Sequence, residues 1–229
     1  MKHCLFILSC FLMGESIAYT QLVNNGATIT VQSGAIIKSA GNIINNSGGV
    51  IQNAGLVSSD LELRNESGST LTNSGTAGTY EATTKFVNNG NAFSAIKLKL
   101  IGAANTDSIK SGAGSTYDSV IISKSPGFNA TLSDAMTVNG GIAFSNDNSK
   151  LILEDENLTM GSTATFLSPD NNQFVITNNT GTVTKQNLGA SSFLFPVGFS
   201  STEYNPLTLA NNGTIDNYSV RCQIGRAHV

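Results

Sequence analysis

Residues 24–57 read NNGATITVQSGAIIKSAGNIINNSGGVIQNAGLV, and this stretch decides the fold. Its glycines follow one another at spacings of eight, seven, seven and seven residues, at Gly26, Gly34, Gly41, Gly48 and Gly55. A small polar residue or an alanine precedes each glycine, and aliphatic or β-branched residues follow it. Small polar residues with glycine favour turns, whereas β-branched residues favour strands. The repeat therefore predicts a series of turns, each followed by a very short strand.

A period of seven is also typical of coiled coils, but the residues here do not suit a helix. A glycine in every heptad would cost a helix about 1 kcal/mol each. A strand this short cannot bury its apolar pair alone, so the units must stack, three units to a coil of about 21 residues, with parallel coils about 4.8 Å apart. The sequence thus predicts an all-β fold, a right-handed parallel β-helix. Ile and Val would stack in its interior, and Asn and Ser would form ladders at its corners.

The interior is predicted to widen along the chain. No Phe, Tyr or Trp occurs from Val23 to Thr79, which indicates a narrow bore. From Tyr80 onward the heptad fades, but apolar clusters recur roughly every 18 to 24 residues and phenylalanines appear. We interpret residues 19–187 as one β-helix domain, with a separate β-sandwich after residue 80 as the alternative. Larger residues between turns in 188–223 predict the start of an antiparallel β-sandwich-like module.

Both ends of the chain are predicted to lie outside the mature fold. Residues 1–18 combine Lys2, an apolar run and the small residues of Ser16-Ile17-Ala18, as a cleaved signal peptide does. The apolar run is about half as long as a membrane-spanning helix, so no membrane insertion of the mature chain is expected. Residues 224–229 are the translation of a widely used sequencing adapter, which predicts a foreign tail and a gene that continues past Gln223. Cys222 would then be the single cysteine of the mature chain, leaving no internal disulfide.

The composition argues against several classes of chemistry. Both histidines, His3 and His228, fall in the excluded ends, which removes the commonest general base and the usual zinc ligand. Cys222 has no histidine partner and is interpreted as a small hydrophobe. A net charge of −3 and a pI of about 5.3 do not indicate the basic surface that nucleic-acid binding requires. We therefore predict no catalytic, cofactor-binding or metal-binding residues, no cofactor, and no nucleic-acid partner.

Four acidic or polar stretches bear on this prediction. Glu154-Asp155-Glu156 is the densest acidic group, but alternate faces of a strand separate neighbouring side chains, and a solvated turn is the simpler interpretation. The oxygen-rich stretches 146–148 and 170–172 are candidate calcium loops, and both are also ordinary turn sequences. The alternation over 60–64 predicts a strand with its charges facing outward.

Several stretches of the sequence resemble one group of known proteins. The Asn-Gly and Ser-Gly turns, the stretches 157–162 and 179–183, and Phe195-Pro196-Val197-Gly198 before Tyr204-Asn205-Pro206 resemble large secreted surface proteins of Bacteroides-type bacteria. Such proteins typically end in a sorting domain for type IX secretion, which is not visible in this chain. The resemblance implies a secreted protein of the bacterial outer cell surface.

The expected function is that of a structural or adhesin-like repeat protein without catalytic activity. Its partners would be glycans or other surface proteins, met through Asn, Ser and Thr. One alternative is a β-helical polysaccharide lyase or hydrolase with its site around Lys97, Lys99 and Asp118, which would need several converging carboxylates. Another is a spacer for a domain downstream of Gln223.

Overall fold

A computed structural model describes residues 20–75 and 78–223. Over these residues the chain forms strands and turns only, with about half of the residues in strands. The predicted signal peptide, His3, Cys4, Cys10 and the tail from residue 224 lie outside the described residues.

The strands follow one another in short steps. The first ten are β1 (Leu22–Asn25), β2 (Thr28–Val31), β3 (Ile36–Ser39), β4 (Ile43–Asn46), β5 (Val50–Asn53), β6 (Leu56–Ser59), β7 (Glu62–Asn65), β8 (Thr70–Asn73), β9 (Thr79–Ala82) and β10 (Lys85–Asn88). The next eight are β11 (Ile96–Gly102), β12 (Ser108–Lys110), β13 (Thr116–Lys124), β14 (Ala130–Leu132), β15 (Met136–Phe144), β16 (Leu151–Ile152), β17 (Leu158–Met160) and β18 (Thr165–Leu167). The last seven are β19 (Val175–Ile176), β20 (Val183–Leu188), β21 (Phe193–Phe195), β22 (Val197–Ser200), β23 (Glu203–Tyr204), β24 (Leu207–Leu209) and β25 (Asp216–Val220).

The strands stack into a parallel β-solenoid of about eight turns, which confirms the predicted β-helix. The first face is a sheet that the chain revisits once per coil, in the order β1-β4-β7-β10-β12-β14-β16-β19-β22, and each of these pairs is parallel. Successive visits begin 19 to 24 residues apart. The second face is the sheet β2-β5-β8, and the third runs β3-β6-β9-β11-β13-β15-β17-β20.

The glycine repeat positions the early strands as predicted, but the aliphatic pairs are not buried as pairs. Strands β2 to β6 begin one or two residues after their glycines and are four residues long. Because side chains alternate across a strand, one residue of each pair points inward and the other outward. Ile43 is 1% exposed and stacks between Leu22 and Leu63, whereas Ile36 is 66% exposed. The prediction that both residues stack inside is therefore wrong.

The predicted asparagine ladder is present at one corner. It runs through Asn24, Asn45, Asn65 and Asn88, all buried at the ends of strands of the first face. Each side-chain amide donates to the side-chain oxygen of the next residue in the stack, at 2.8, 2.7 and 2.8 Å. Ser39 and Ser59 occupy another corner, where their hydroxyls donate to backbone carbonyls. The ladders satisfy polar groups that tight corners bury.

One repeat glycine is fixed by space rather than by conformation. A Cβ on Gly55 would lie 2.2 Å from the carbonyl oxygen of Ala35 and 2.6 Å from that of Gln32. The corner below therefore leaves room only for a hydrogen at this position.

The later coils continue the same solenoid with a wider interior. Tyr80, Phe86 and Tyr117 are fully buried, and the rings of Phe86, Phe93 and Tyr117 pack edge to face. Strand β15 bends around a corner, so that its first half pairs with β17 and its second half with β18. Parallel pairing extends to β22, beyond residue 187, and the alternative of a separate sandwich after residue 80 is therefore wrong.

The chain then reverses and retraces its last coil. After a turn at 201–202, β23 lies antiparallel on β22, β24 on β21 and β25 on β20. Antiparallel pairing is thus present, but the predicted boundary at residue 188 is too early, because β22 still belongs to the parallel solenoid and the antiparallel strands begin at β23 and lie along the last coil. We call residues 203–220 the return coil. Its residues are mostly exposed, including Leu207 at 44% and Ile215 at 61%.

Candidate functional site

The outer surface of the third sheet carries apolar, polar and charged side chains. Parallel register places them in two rows that cross the strands. One row contains Ile36, Leu56, Thr79, Lys97 and Ser119. The other contains Lys38, Ser58, Glu81, Lys99 and Ile121. We call these two rows the outer face.

Ion pairs join neighbouring coils along this outer face. Lys99 Nζ lies 2.9 Å from Glu81 Oε2, and Ser58 donates to Glu81 Oε1 at 2.8 Å. Partial burial alone would raise the pKa of Glu81, but the hydrogen bonds from Lys99 and Ser58 together hold it below its ordinary value. Lys38 pairs with Asp60 at 3.0 Å. Glu81 is therefore ionised and held in place at neutral pH.

A shallow groove of about 450 Å³ crosses the same face. Its apolar floor includes Ile36, Leu56 and Ile121, and Glu81 with Lys99 forms its polar end. The groove thus places apolar side chains directly beside a charged pair.

The residues proposed for a lyase or hydrolase lie on this face, but the two lysines have different partners. Lys97 lies 3.7 Å from Asp118, whereas Lys99 pairs with Glu81. Each cation is thus matched by a carboxylate of the protein. Among residues 20–75 and 78–223, no three His, Cys, Asp or Glu side chains come together as a metal site would require.

The two candidate calcium loops stack one above the other at a corner of the solenoid. Asn146 donates its side-chain amide to the Lys124 carbonyl at 2.7 Å, and Gln173 donates to the Asn146 carbonyl at 2.8 Å. Asp170 accepts the Asn172 N–H at 2.7 Å and exchanges backbone hydrogen bonds with Gln173. The side chains of Asn146, Asp170 and Gln173 thus hold these turns together.

The remaining charged groups form turns or surface pairs. Glu154 and Asp155 are exposed in a turn, Glu154 has a φ of 53°, and Asp155 accepts hydrogen bonds from Thr180. The solvated turn is confirmed. In the 60–64 stretch, β7 begins at Glu62, and Arg64 pairs outward with Glu62 at 3.1 Å, while Asp60 precedes the strand.

Cys222 is half-buried and packs against the core. Burial raises the pKa of its thiol, so the thiolate is disfavoured. This environment agrees with its interpretation as a small hydrophobe.

Three lysines that were not predicted as site residues are buried in the structure. Lys124 is 0% exposed, Lys150 5% and Lys185 4%. Lys185 donates to the carbonyls of Gly161, Ser162 and Ala164 at 2.6 to 2.8 Å, and Lys150 donates to the Asn172 carbonyl at 3.0 Å. The alternation of side chains along a strand predicts the inward direction of two of them, Lys124 and Lys185. Lys124 shares the parity of Val120 and Ile122, and Lys185 that of Val183, so both had to point inward.

Lys124 differs from the other two because it meets a carboxylate. Its Nζ is in direct contact with Asp107 Oδ2 and donates to the Ile101 carbonyl at 3.1 Å. Asp107 is 1% exposed, and its other oxygen, Oδ1, has no hydrogen-bond partner. Burial lowers the pKa of Lys124 to about 8.

The described part of the chain contains no helix long and apolar enough to cross a bilayer. Comparisons of the chain with protein-family models, with curated proteins and with solved structures return no match.

Proposed function

We propose that the protein is a structural, adhesin-like component of a bacterial cell surface, and that its outer face is the adhesive surface. The observation that carries the proposal is the combination of a continuous repetitive core with a groove on the outer face. The expected ligands are glycans or other surface proteins.

Support for the structural part comes from how the coils are joined. Apolar ladders, a buried asparagine ladder and parallel backbone hydrogen bonds all repeat from coil to coil. Each coil contacts mainly its neighbours, so such a fold extends a chain in one direction and forms a stiff rod. A rod is suited to projecting a surface away from a cell.

Support for the adhesive part comes from the outer face. Ile36 is 66% exposed beside Leu56, and Lys99 with Glu81 supplies donors and acceptors at fixed positions. Sugar rings present flat C–H faces and hydroxyl edges, which match apolar and charged groups arranged side by side. The pairing of each lysine with a protein carboxylate favours a neutral ligand over an acidic one, since an acidic ligand would have to break those pairs.

The test is a binding measurement with matched variants. We would display the full-length chain on non-adherent bacteria and measure binding to a glycan array and to host-cell surfaces. Ile36→Asn is expected to reduce binding at least several-fold. Val23→Asn is the control, because Val23 is also exposed, at 44%, but lies on the first sheet.

Two results would contradict the proposal. If the chain bound neither the glycan array nor host-cell surfaces, the adhesive part of the proposal would be wrong and a passive scaffold would remain. Release of unsaturated or reducing ends from polysaccharides, abolished by Lys97→Met or Asp118→Asn, would favour the lyase or hydrolase alternative.

A further inference from the structure

Lys124 and Asp107 occupy one corner of two successive coils. Lys124 ends β13, and the register places it beside Gly102, one coil earlier. Asp107 lies between Gly102 and β12 in that earlier coil. Any bond between the two side chains would therefore join neighbouring coils directly.

The two side chains are in contact and are shielded from solvent. Their exposures are 0% and 2%, and Lys124 Nζ contacts Asp107 Oδ2. The backbone of Lys124 is fixed from the following coil, because its carbonyl accepts hydrogen bonds from Asn146 at 2.7 Å and from Ser149 at 3.1 Å. Asp107 is fixed by the Ala104 N–H, which donates to Oδ2 at 3.3 Å. The reacting groups are thus positioned before any reaction begins.

As an ion pair this contact is costly. A buried carboxylate needs several hydrogen bonds to offset its lost hydration, and Asp107 Oδ1 has no partner. An amide in the same place would carry no charge, and its single N–H could donate to the Ile101 carbonyl, which already accepts from Nζ at 3.1 Å. Burial therefore disfavours the ions and favours the neutral amide.

We propose that Lys124 and Asp107 condense to form an intramolecular isopeptide bond between the two coils. The ammonium first transfers a proton to the carboxylate, which gives a neutral amine and a neutral acid. The amine lone pair attacks the Asp107 Cγ, and the Nζ–Cγ bond forms as one C–O bond breaks. The departing oxygen takes a second proton from nitrogen and leaves as water. Of the three ammonium protons, two leave in the water and one remains on the amide.

Other lysines of the protein serve as internal controls. Lys99 also touches a carboxylate, Glu81, but its side chain is 35% exposed, so water can solvate both ions. Lys150 and Lys185 are buried but contact carbonyl oxygens instead of carboxylates. Only the Lys124 pair combines burial with a carboxylate partner among these four lysines, and only Lys124 is expected to react.

The experiment is peptide mapping of the folded full-length chain by tandem mass spectrometry. We expect a branched peptide that contains both Asp107 and Lys124 and lacks the mass of one water, in most molecules. Lys99, Lys150 and Lys185 should be found in ordinary linear peptides. A chain kept in denaturant from the time of its synthesis should keep its full mass, because folding is what brings the pair together.

The Lys124→Met variant excludes the other route to water loss. Asp107 precedes Ser108, and a cyclic imide at that bond would lose the same mass without involving Lys124. The isopeptide bond requires that the loss disappear in the variant. Unlinked Asp107 and Lys124 peptides from folded wild-type protein would overturn the proposal, as would a water loss that persists in Lys124→Met. The wild-type measurement decides the question even if the variant does not fold.

Discussion

Replacing Asn45 with alanine tests whether the asparagine ladder holds the coils together. Asn45 is 0% exposed, accepts from Asn24 at 2.8 Å, and donates toward Asn65 Oδ1 at 2.7 Å, the Gly49 carbonyl at 2.9 Å and the Thr70 carbonyl at 3.1 Å. Its amide has two hydrogens, so at most three of these four hydrogen bonds exist at once.

The expected loss follows from these partners. Two of the lost hydrogen bonds each contribute about 1 kcal/mol to the free energy of unfolding. Loss of the third leaves Asn65 Oδ1 buried without a donor, which costs about 1–3 kcal/mol. Asn45→Ala should therefore lower the free energy of unfolding by about 3–5 kcal/mol.

Asn46→Ala is the matched control. Asn46 is the next residue of the same strand, but it is exposed, and its side-chain oxygen accepts only the Ser47 N–H. This variant should change the free energy of unfolding by no more than about 0.5 kcal/mol.

Urea unfolding followed by far-ultraviolet circular dichroism measures both variants. Repeat proteins can unfold in parts, so a second probe, the fluorescence of the buried tyrosines, must give the same transition before free energies are compared. Equal losses in Asn45→Ala and Asn46→Ala would refute the ladder's role.

Three further predictions concern the repeat glycines and the ionisable groups. Gly55→Ala should destabilise the protein more than Gly68→Ala, because a Cβ on Gly55 meets the Ala35 carbonyl at 2.2 Å, whereas Gly68 has open space and only left-handed strain of about 1–2 kcal/mol; equal unfolding midpoints would contradict this. Burial raises the pKa of Tyr80 and Tyr117 above the ordinary 10.0, so the stability they contribute is complete below pH 10 and is lost as the pH rises further. Unfolding midpoints measured against pH should fall above pH 10, less steeply in a Tyr80→Phe/Tyr117→Phe variant. Because the pKa of Glu81 is lowered in the folded protein, its ion pair with Lys99 stabilises the fold at pH values above the ordinary pKa of 4.5. This stabilisation is lost as the pH falls through the pKa of the folded state. Glu81→Gln should cost about 0.2–1 kcal/mol at pH 7 and nothing in strong acid, and a loss that persists at low pH would assign the effect to packing instead.

Much of the early solenoid could be predicted because its rules are local. Gly41 indicates a turn, and the β-branched residues after it indicate a strand. Because such units repeat at a nearly constant length, equivalent residues such as Asn24 and Asn45 come to lie above one another in successive coils. Alternation places the two residues of an aliphatic pair on opposite faces, but the pair alone does not tell which of them faces outward, as Ile36 does.

The long-range pairs could not be predicted in the same way. Asp107 lies between a threonine and a serine, as in an ordinary turn, and its meeting with Lys124 depends on the length of one particular coil. The path of the return coil likewise could not be predicted, because it depends on which strand of the last coil each of its strands pairs with. Turns and aromatic residues predicted antiparallel strands there, but not that β25 would lie on β20.

Stacking coils at right angles to the strands has a mechanical consequence. Tension applied between the two ends acts along the hydrogen bonds that join one coil to the next, so these bonds open in sequence rather than all together. A freed coil of 19 to 24 residues extends to about 65–80 Å at roughly 3.4 Å per residue, although it had added only about 4.8 Å to the rod. A solenoid built in this way lengthens by repeated small ruptures and absorbs energy at each one. Single-molecule stretching should therefore give a series of force drops at nearly equal extensions, with a shorter step where the proposed bond between Asp107 and Lys124 keeps the chain between them closed. One abrupt rupture to full length would contradict this behaviour.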